Sequence, residues 1–112
     1  GHGGFDPGKV GVDGLAEKDL NLAVAKKLQK ILTKNGVHVV MSREEDTALC
    51  EETAPNKKIR DMKKRTELIN HSKASIAVSI HQNSYQTSDV KGAQVFYFTH
   101  SVEGKQKFCR SI

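Results

Sequence analysis

Two histidines and one glutamate set the chemical question in this sequence. His2 lies in the opening glycine cluster "GHGGFDPG", Glu17 begins the stretch "EKDLNLAVAKKL", and His81 follows the apolar run "ASIAVSI". Two neutral imidazoles and one carboxylate match the protein ligands of a catalytic zinc site, whose fourth position holds water. The same donors suit a borderline cation in general. The three residues are far apart in the chain, so no local spacing rule joins them and only a fold can. Each also has a plainer reading. His81 alone reads as a hydrogen-bonded loop residue, and Glu17 alone as a first-turn carboxylate favoured by the helix dipole. His2 alone reads as a donor in a glycine loop or as part of a backbone anion nest.

The elements that must position these residues are legible from periodicity. Residues 15–35 repeat as a helix, with Leu20, Ala23, Val24, Leu28, Ile31 and Leu32 on one stripe and Lys26, Lys27, Lys30 and Lys34 largely away from it. Asp13 is the expected N-cap, which puts Glu17 in the first turn. Gly36 stands where a helix end favours a residue tolerant of positive φ. "VHVVM" (37–41) then reads as a short buried strand, 42–56 as a polar loop containing Pro55, and 57–71 as a second, weaker helix carrying Arg65. "ASIAVSI" (74–80) reads as a buried strand, 81–92 as a loop, "AQVFYF" (93–98) as a further strand, and 101–112 as the start of a helix.

This alternation predicts an α/β fold, a three-layer sandwich with a mostly parallel, twisted central sheet and helices on both faces. Such sheets bind ligands beyond the carboxyl ends of their strands, where His81 stands.

Composition limits the alternatives. With 112 residues, 37% hydrophobic and 28% charged, the sequence suits one folded domain rather than a disordered segment. No apolar run approaches the roughly 18 residues that a membrane span requires. The 18 Lys and Arg against 13 Asp and Glu give a net charge of +5. The lysines, however, are spread over two helical stretches with no basic block interleaved with aromatics, so a nucleic-acid partner is not expected. Cys50 and Cys109 have no metal-like spacing and read as free thiols rather than as a disulfide. His38, His71 and His100 have no matching partner.

Taken in order, "GHGGFDPG", "EKDLNLAVAKKL", "KRTELIN" with Arg65 and Asn70, "SIHQNS" and "KGAQVFYF" resemble the zinc-dependent N-acetylmuramoyl-L-alanine amidases of the amidase type 3 family. The last two motifs lean toward its germination-specific, spore-cortex branch. The resemblance implies a metal-dependent hydrolase that cuts the amide between the lactyl group of N-acetylmuramic acid and L-alanine. It implies Zn2+ as cofactor, with His2, Glu17 and His81 as its ligands, activating water and polarising the scissile carbonyl. The free ring nitrogens of His2 and His81 are expected to donate to carboxylate, carbonyl or water partners. Peptidoglycan is the implied partner, acted on outside the cytoplasm in the cell wall or spore cortex, with an activating partner protein in addition. A non-catalytic wall- or partner-binding module of the same fold is the alternative.

Other motif residues receive smaller roles. Asn83 is a candidate for binding substrate or bracing its loop. Arg65 is expected to pair with a carboxylate and hold its helix. Asp6 belongs to the turn of "FDPG", which Gly8 completes. By the resemblance, residues 1–112 are a single amidase catalytic domain incomplete at both ends, with the family's first strand before Gly1 and its catalytic glutamate past Ile112. Glu103 is no substitute for that glutamate.

Overall fold

Regular structure among the described residues is carried by two helices, α1 (Glu17–Lys34) and α2 (Lys57–Ser72). The structure is a computed structural model that describes residues 1–87, 89 and 92–96. Both helices fall where the periodicity places them, with α1 starting two residues later than expected.

The start of α1 is set by backbone rather than by a side chain. Asp13 does not cap the helix. Its carboxylate accepts from Leu15 N at 3.1 Å in the preceding turn, and the capping position falls to Ala16, which has no side-chain acceptor. A helix must satisfy its first N–H groups somehow. Here the N-terminal loop folds back over the first turn, so that Glu17 N donates to Lys9 O at 2.8 Å and Lys18 N donates to Pro7 O at 3.0 Å. An isolated bridge between Val10 and Ala16 completes the fold-back. This arrangement ties the His2 loop to the turn carrying Glu17.

The other end of α1 closes as the sequence anticipates. Gly36 takes φ +78°, Gly36 N donates to Thr33 O and Val37 N donates to Leu32 O, both at 3.0 Å. This is the paired hydrogen-bond pattern of a Schellman ending. Helix α2 is bounded by two left-handed residues, Asn56 (φ 54°) and Lys73 (φ 53°).

The apolar stripe of α1 does not form the buried seam expected of it. Among the described residues no apolar side chain is fully buried. Leu20, Val24 and Ile31 are exposed, and the helix instead buries Glu17 and Asn21. Helix α2 likewise buries only Asp61 and Arg65. The two helices do not pack on each other. The most buried face of α1 is the one that carries Glu17 and Asn21, turned to the N-terminal loop.

The expected strands at 37–41 and 74–80 run outside the helices and join no ladder among the described residues. The pairings among the described residues are two isolated bridges, Gly3 with Asp6 and Val10 with Ala16. Ile76 at 79% and Val78 at 67% are exposed. A strand buried on both faces needs neighbours along its edges and layers above and below, and the described residues supply neither at these segments. Residues 97 and 98 of the third expected strand lie outside the described residues. So do the expected helix start at 101–112, His100, Glu103 and Cys109. Cys50 is a free thiol.

Candidate metal site

The fold brings His2, Glu17 and His81 to one point, although they come from a loop, the first turn of α1 and the segment past residue 80. One ligand atom from each lies within 4.8 Å of the others. Of the three, Glu17 is buried at 5% exposure, while His2 is half-buried and His81 exposed. The two imidazoles stand edge to face, with ring centroids 5.1 Å apart.

Glu17 is the hub. Its Oε1 accepts from Gln82 N at 2.9 Å, from His81 Nδ1 at 3.0 Å and from Asn21 Nδ2 at 3.3 Å. Its Oε2 accepts from Lys9 N at 3.0 Å and lies 3.4 Å from His2 Nε2. Burial is the largest single influence on this carboxyl and pushes its pKa up. The hydrogen bonds from Lys9, Gln82, Asn21 and His81 together outweigh it and bring the pKa down to about 2. Donors stabilise the charged form, so Glu17 is an anion at neutral pH. No lysine or arginine pairs with it among the described residues.

His2 is oriented from its other nitrogen. Its Nδ1 lies 2.9 Å from Asp6 Oδ2, while Asp6 Oδ1 accepts from Gly8 N at 3.3 Å. Burial presses the Asp6 carboxyl upward, but the His2 and Gly8 hydrogen bonds prevail and hold it below its ordinary value. An ionised Asp6 can only accept, so Nδ1 of His2 carries the proton in this contact and Nε2 is the nitrogen turned toward Glu17. Asp6 thus does more than build a turn. It is a carboxylate of the kind that fixes a ligand histidine's tautomer.

Gly8 makes this convergence sterically possible. Its φ is +69°, and a Cβ there would sit 2.6 Å from Glu17 Oε2 and 2.7 Å from His2 Cδ2. The glycine serves two ends, a left-handed turn and the close approach of His2 and Glu17.

A family model described as N-acetylmuramoyl-L-alanine amidase, type 3, matches residues 1–112. The chain belongs to this family. The germination-specific N-acetylmuramoyl-L-alanine amidase of Bacillus subtilis is 40% identical over 109 residues, which cover 95% of this chain and 46% of that protein. The amidase AmiA of Escherichia coli is 31% identical over 96 residues, covering 86% of this chain and 29% of that one. Among solved structures, the CwlD amidase from Clostridioides difficile, in complex with the GerS lipoprotein, superposes with a TM-score of 0.76 at 38% identity. That match covers 82% of this chain and 49% of the CwlD chain. The amidase-family chain thus spans about half the length of the germination-specific and CwlD amidases and under a third of AmiA.

Two contributors to the site were not legible in this amidase-family sequence. Asn21 is buried at 5% exposure and joins Glu17 to Gln82, whose Nε2 donates to Asn21 Oδ1 at 3.2 Å. The signal for Asn21 was present, since it lies four residues after Glu17 and therefore on the same helix face. Gln82 acts chiefly through its backbone N–H, which no residue type reveals.

Asn83 is placed beside the site rather than in it. Its Nδ2 donates to Gln94 Oε1 at 3.0 Å, an oxygen that Tyr85 Oη also approaches at 3.2 Å. These side chains line an open cleft of about 380 Å³ that also touches His81. Arg65 lies elsewhere, paired with Asp61 on α2 at 2.6 Å. His38 and His71 are exposed and apart from the cluster.

Proposed function

We propose that this chain carries the metal-holding part of a zinc-dependent peptidoglycan amidase. The reaction is hydrolysis of the amide between the lactyl group of N-acetylmuramic acid and the L-alanine of the stem peptide. The observation that carries the reading is the convergence of His2, Glu17 and His81 within 4.8 Å in a chain of the amidase family. The donor set fits zinc, with two imidazoles and a carboxylate held as an anion by neutral donors rather than by a fixed cation. When bound, zinc supplies an activated water and a Lewis acid for the scissile carbonyl.

The chain's own residues prepare that chemistry. Lys9 N, Gln82 N and Asn21 hold the Glu17 carboxylate in place, and Asp6 holds the proton on His2 Nδ1. Asn83 is the proposed substrate contact. Its amide nitrogen is engaged by Gln94, so its carbonyl oxygen remains an acceptor for a peptide N–H in the adjoining cleft.

Residues 1–112 are proposed as part of one catalytic domain of α/β three-layer type, incomplete at both ends, and the likeness to the CwlD structure lends support to that fold. The germination-specific relative favours spore cortex over vegetative wall, and hence action outside the cytoplasm. The lipoprotein complex of the solved relative favours a partner protein here as well. No helix among the described residues is long and apolar enough to cross a membrane.

The test is mass spectrometry of purified peptidoglycan incubated with the zinc-loaded full-length protein. Release of stem peptides bearing a free L-alanine amine supports the amidase. Binding to the sacculus with no release supports the non-catalytic module instead.

A further inference from the structure

The polar segment 42–50 reads as a plain loop in the sequence, yet it is fastened at both ends and in the middle. Toward α2, Leu49 N donates to Asp61 Oδ1 at 2.5 Å, Cys50 Sγ donates to Lys57 O at 3.0 Å and Arg65 Nη1 donates to Ser42 Oγ at 3.4 Å. Toward α1, Arg43 Nη2 donates to Lys18 O at 2.6 Å. Between these anchors lies Asp46. Its Oδ1 accepts from Gly4 N at 2.8 Å and its Oδ2 accepts from Lys18 Nζ at 2.5 Å. Lys18 Nζ also donates to Gly4 O at 3.0 Å.

Both polar groups of the Gly4 residue are therefore held by two side chains that hold each other. One of these, Lys18, directly follows Glu17 on α1. The other end of the same short loop is His2, two residues before Gly4. The segment also presses on the loop's backbone. A Cβ at Gly3 would meet Thr47 O at 2.7 Å, and one at Gly4 would meet Ala48 N at 2.7 Å. The glycines of the opening cluster are thus used twice, once for the approach of Glu17 at Gly8 and once for the approach of this segment.

From this triangle we infer that Asp46 is a positioning residue for the metal site, acting with Lys18 through the Gly4 peptide to set His2 against Glu17. The inference rests on the reading of His2, Glu17 and His81 as metal ligands. Asp46 is partly exposed, and exposed ion pairs contribute little to overall stability. Its effect is on geometry. A ligand loop pinned to the helix that bears the second ligand loses less freedom when a metal binds.

The experiment is competitive titration of Zn2+ against a chromophoric chelator, alongside thermal melting of the same protein without added metal. Asp46→Ala is expected to weaken Zn2+ binding about tenfold while the melting temperature stays near that of the unsubstituted chain. Lys18→Met is expected to do the same, and the double variant to add little, since the two side chains hold each other and both act on Gly4. Asp46→Asn keeps an acceptor for Gly4 N and is expected to recover part of the loss. Asp13→Ala, whose carboxylate bonds only Leu15 N, serves as the unaffected control.

Tight Zn2+ binding by the unsubstituted chain and by Asp46→Ala alike overturns the positioning role and leaves the ligand assignment standing. So does a loss of affinity in Asp46→Ala and Asp46→Asn that follows the loss of folded protein. Failure of the unsubstituted, folded chain to bind Zn2+ overturns the ligand assignment and this inference with it.

Discussion

Each helix buries one polar pair four residues apart, Glu17 with Asn21 on α1 and Asp61 with Arg65 on α2, and the two pairs are chemically opposite. Asp61 is saturated by charge. Its Oδ2 takes Arg65 Nε at 2.6 Å and its Oδ1 takes Leu49 N at 2.5 Å. Glu17 is saturated by neutral donors, with two imidazoles beside it and no fixed cation among the described residues. A buried carboxylate that has its cation is a fastening. One that has donors and imidazoles but no cation is suited to receive a metal. The contrast separates a charge-paired fastening from a candidate metal site within a single short chain.

The most forceful way to break this comparison is at the functional pair. His81→Ala is expected to abolish zinc binding, lowering affinity by at least about a thousandfold, because loss of a ligand exceeds the ten- to hundredfold cost of losing a ligand's partner. Elemental analysis of the purified variant checks it, and full occupancy would remove His81 from the ligand set. The fold should persist, since His81 is exposed and contributes one hydrogen bond.

The structural pair should show the reverse. Arg65→Met leaves Asp61 buried without its cation, which typically costs about 3–5 kcal/mol. Urea unfolding of the variant reads this directly. The zinc affinity of its folded fraction should fall far less than that of His81→Ala, because Arg65 touches segment 42–50 through Ser42 and none of the three proposed ligands. Replacing both partners, as Asp61→Leu with Arg65→Met, should recover much of the loss, because two apolar side chains carry no unpaired charge. One buried nitrogen of Arg65, Nη2, lacks a hydrogen-bond partner among the described residues, which already limits the net gain from this pair.

How much of the contrast the sequence discloses depends on which physical signal each residue carries. The helices and the Gly36 ending are visible because periodicity and a left-handed glycine are local properties. The meeting of His2, Glu17 and His81 was suggested by residue type and by family resemblance, not by spacing. Asp6 was readable as a turn residue only, since its contact with His2 depends on how the turn closes. Asp13 was misplaced as a cap because the competing acceptors, Lys9 O and Pro7 O, are backbone atoms common to every residue type. The apolar stripe of α1 and the run "ASIAVSI" have the pattern of a core, but among the described residues none of their side chains is fully buried. Segment 42–50 carries no periodicity at all, and its importance comes only from what it touches.

A gentler test sharpens the functional side. Asp6→Asn keeps the size of the side chain but removes the charge that fixes the proton on His2 Nδ1. Zinc affinity should fall by about ten- to hundredfold, the usual cost of disturbing a ligand histidine's partner. Calorimetric titration with Zn2+ measures it. An unchanged affinity would show that the backbone turn alone orients the imidazole.

Asp46 supplies the smallest effect, and it tests whether exposure decides what a carboxylate is worth. The Lys18 ammonium, followed by Gly4 N–H, holds the Asp46 carboxyl below its ordinary value. A carboxyl whose pKa is lowered on folding adds stability that is fully present above its unfolded value and is lost as pH falls through the folded one. With its side chain 46% exposed, solvent screens the interaction, so the contribution should be well under 1 kcal/mol. Urea midpoints for the unsubstituted chain and Asp46→Asn should therefore differ slightly at neutral pH and converge on acidification below the usual carboxylate range. A gap that persists at low pH would mean that Asp46 acts through shape rather than charge. A gap comparable to that of Arg65→Met would erase the distinction between a buried fastening and an exposed one.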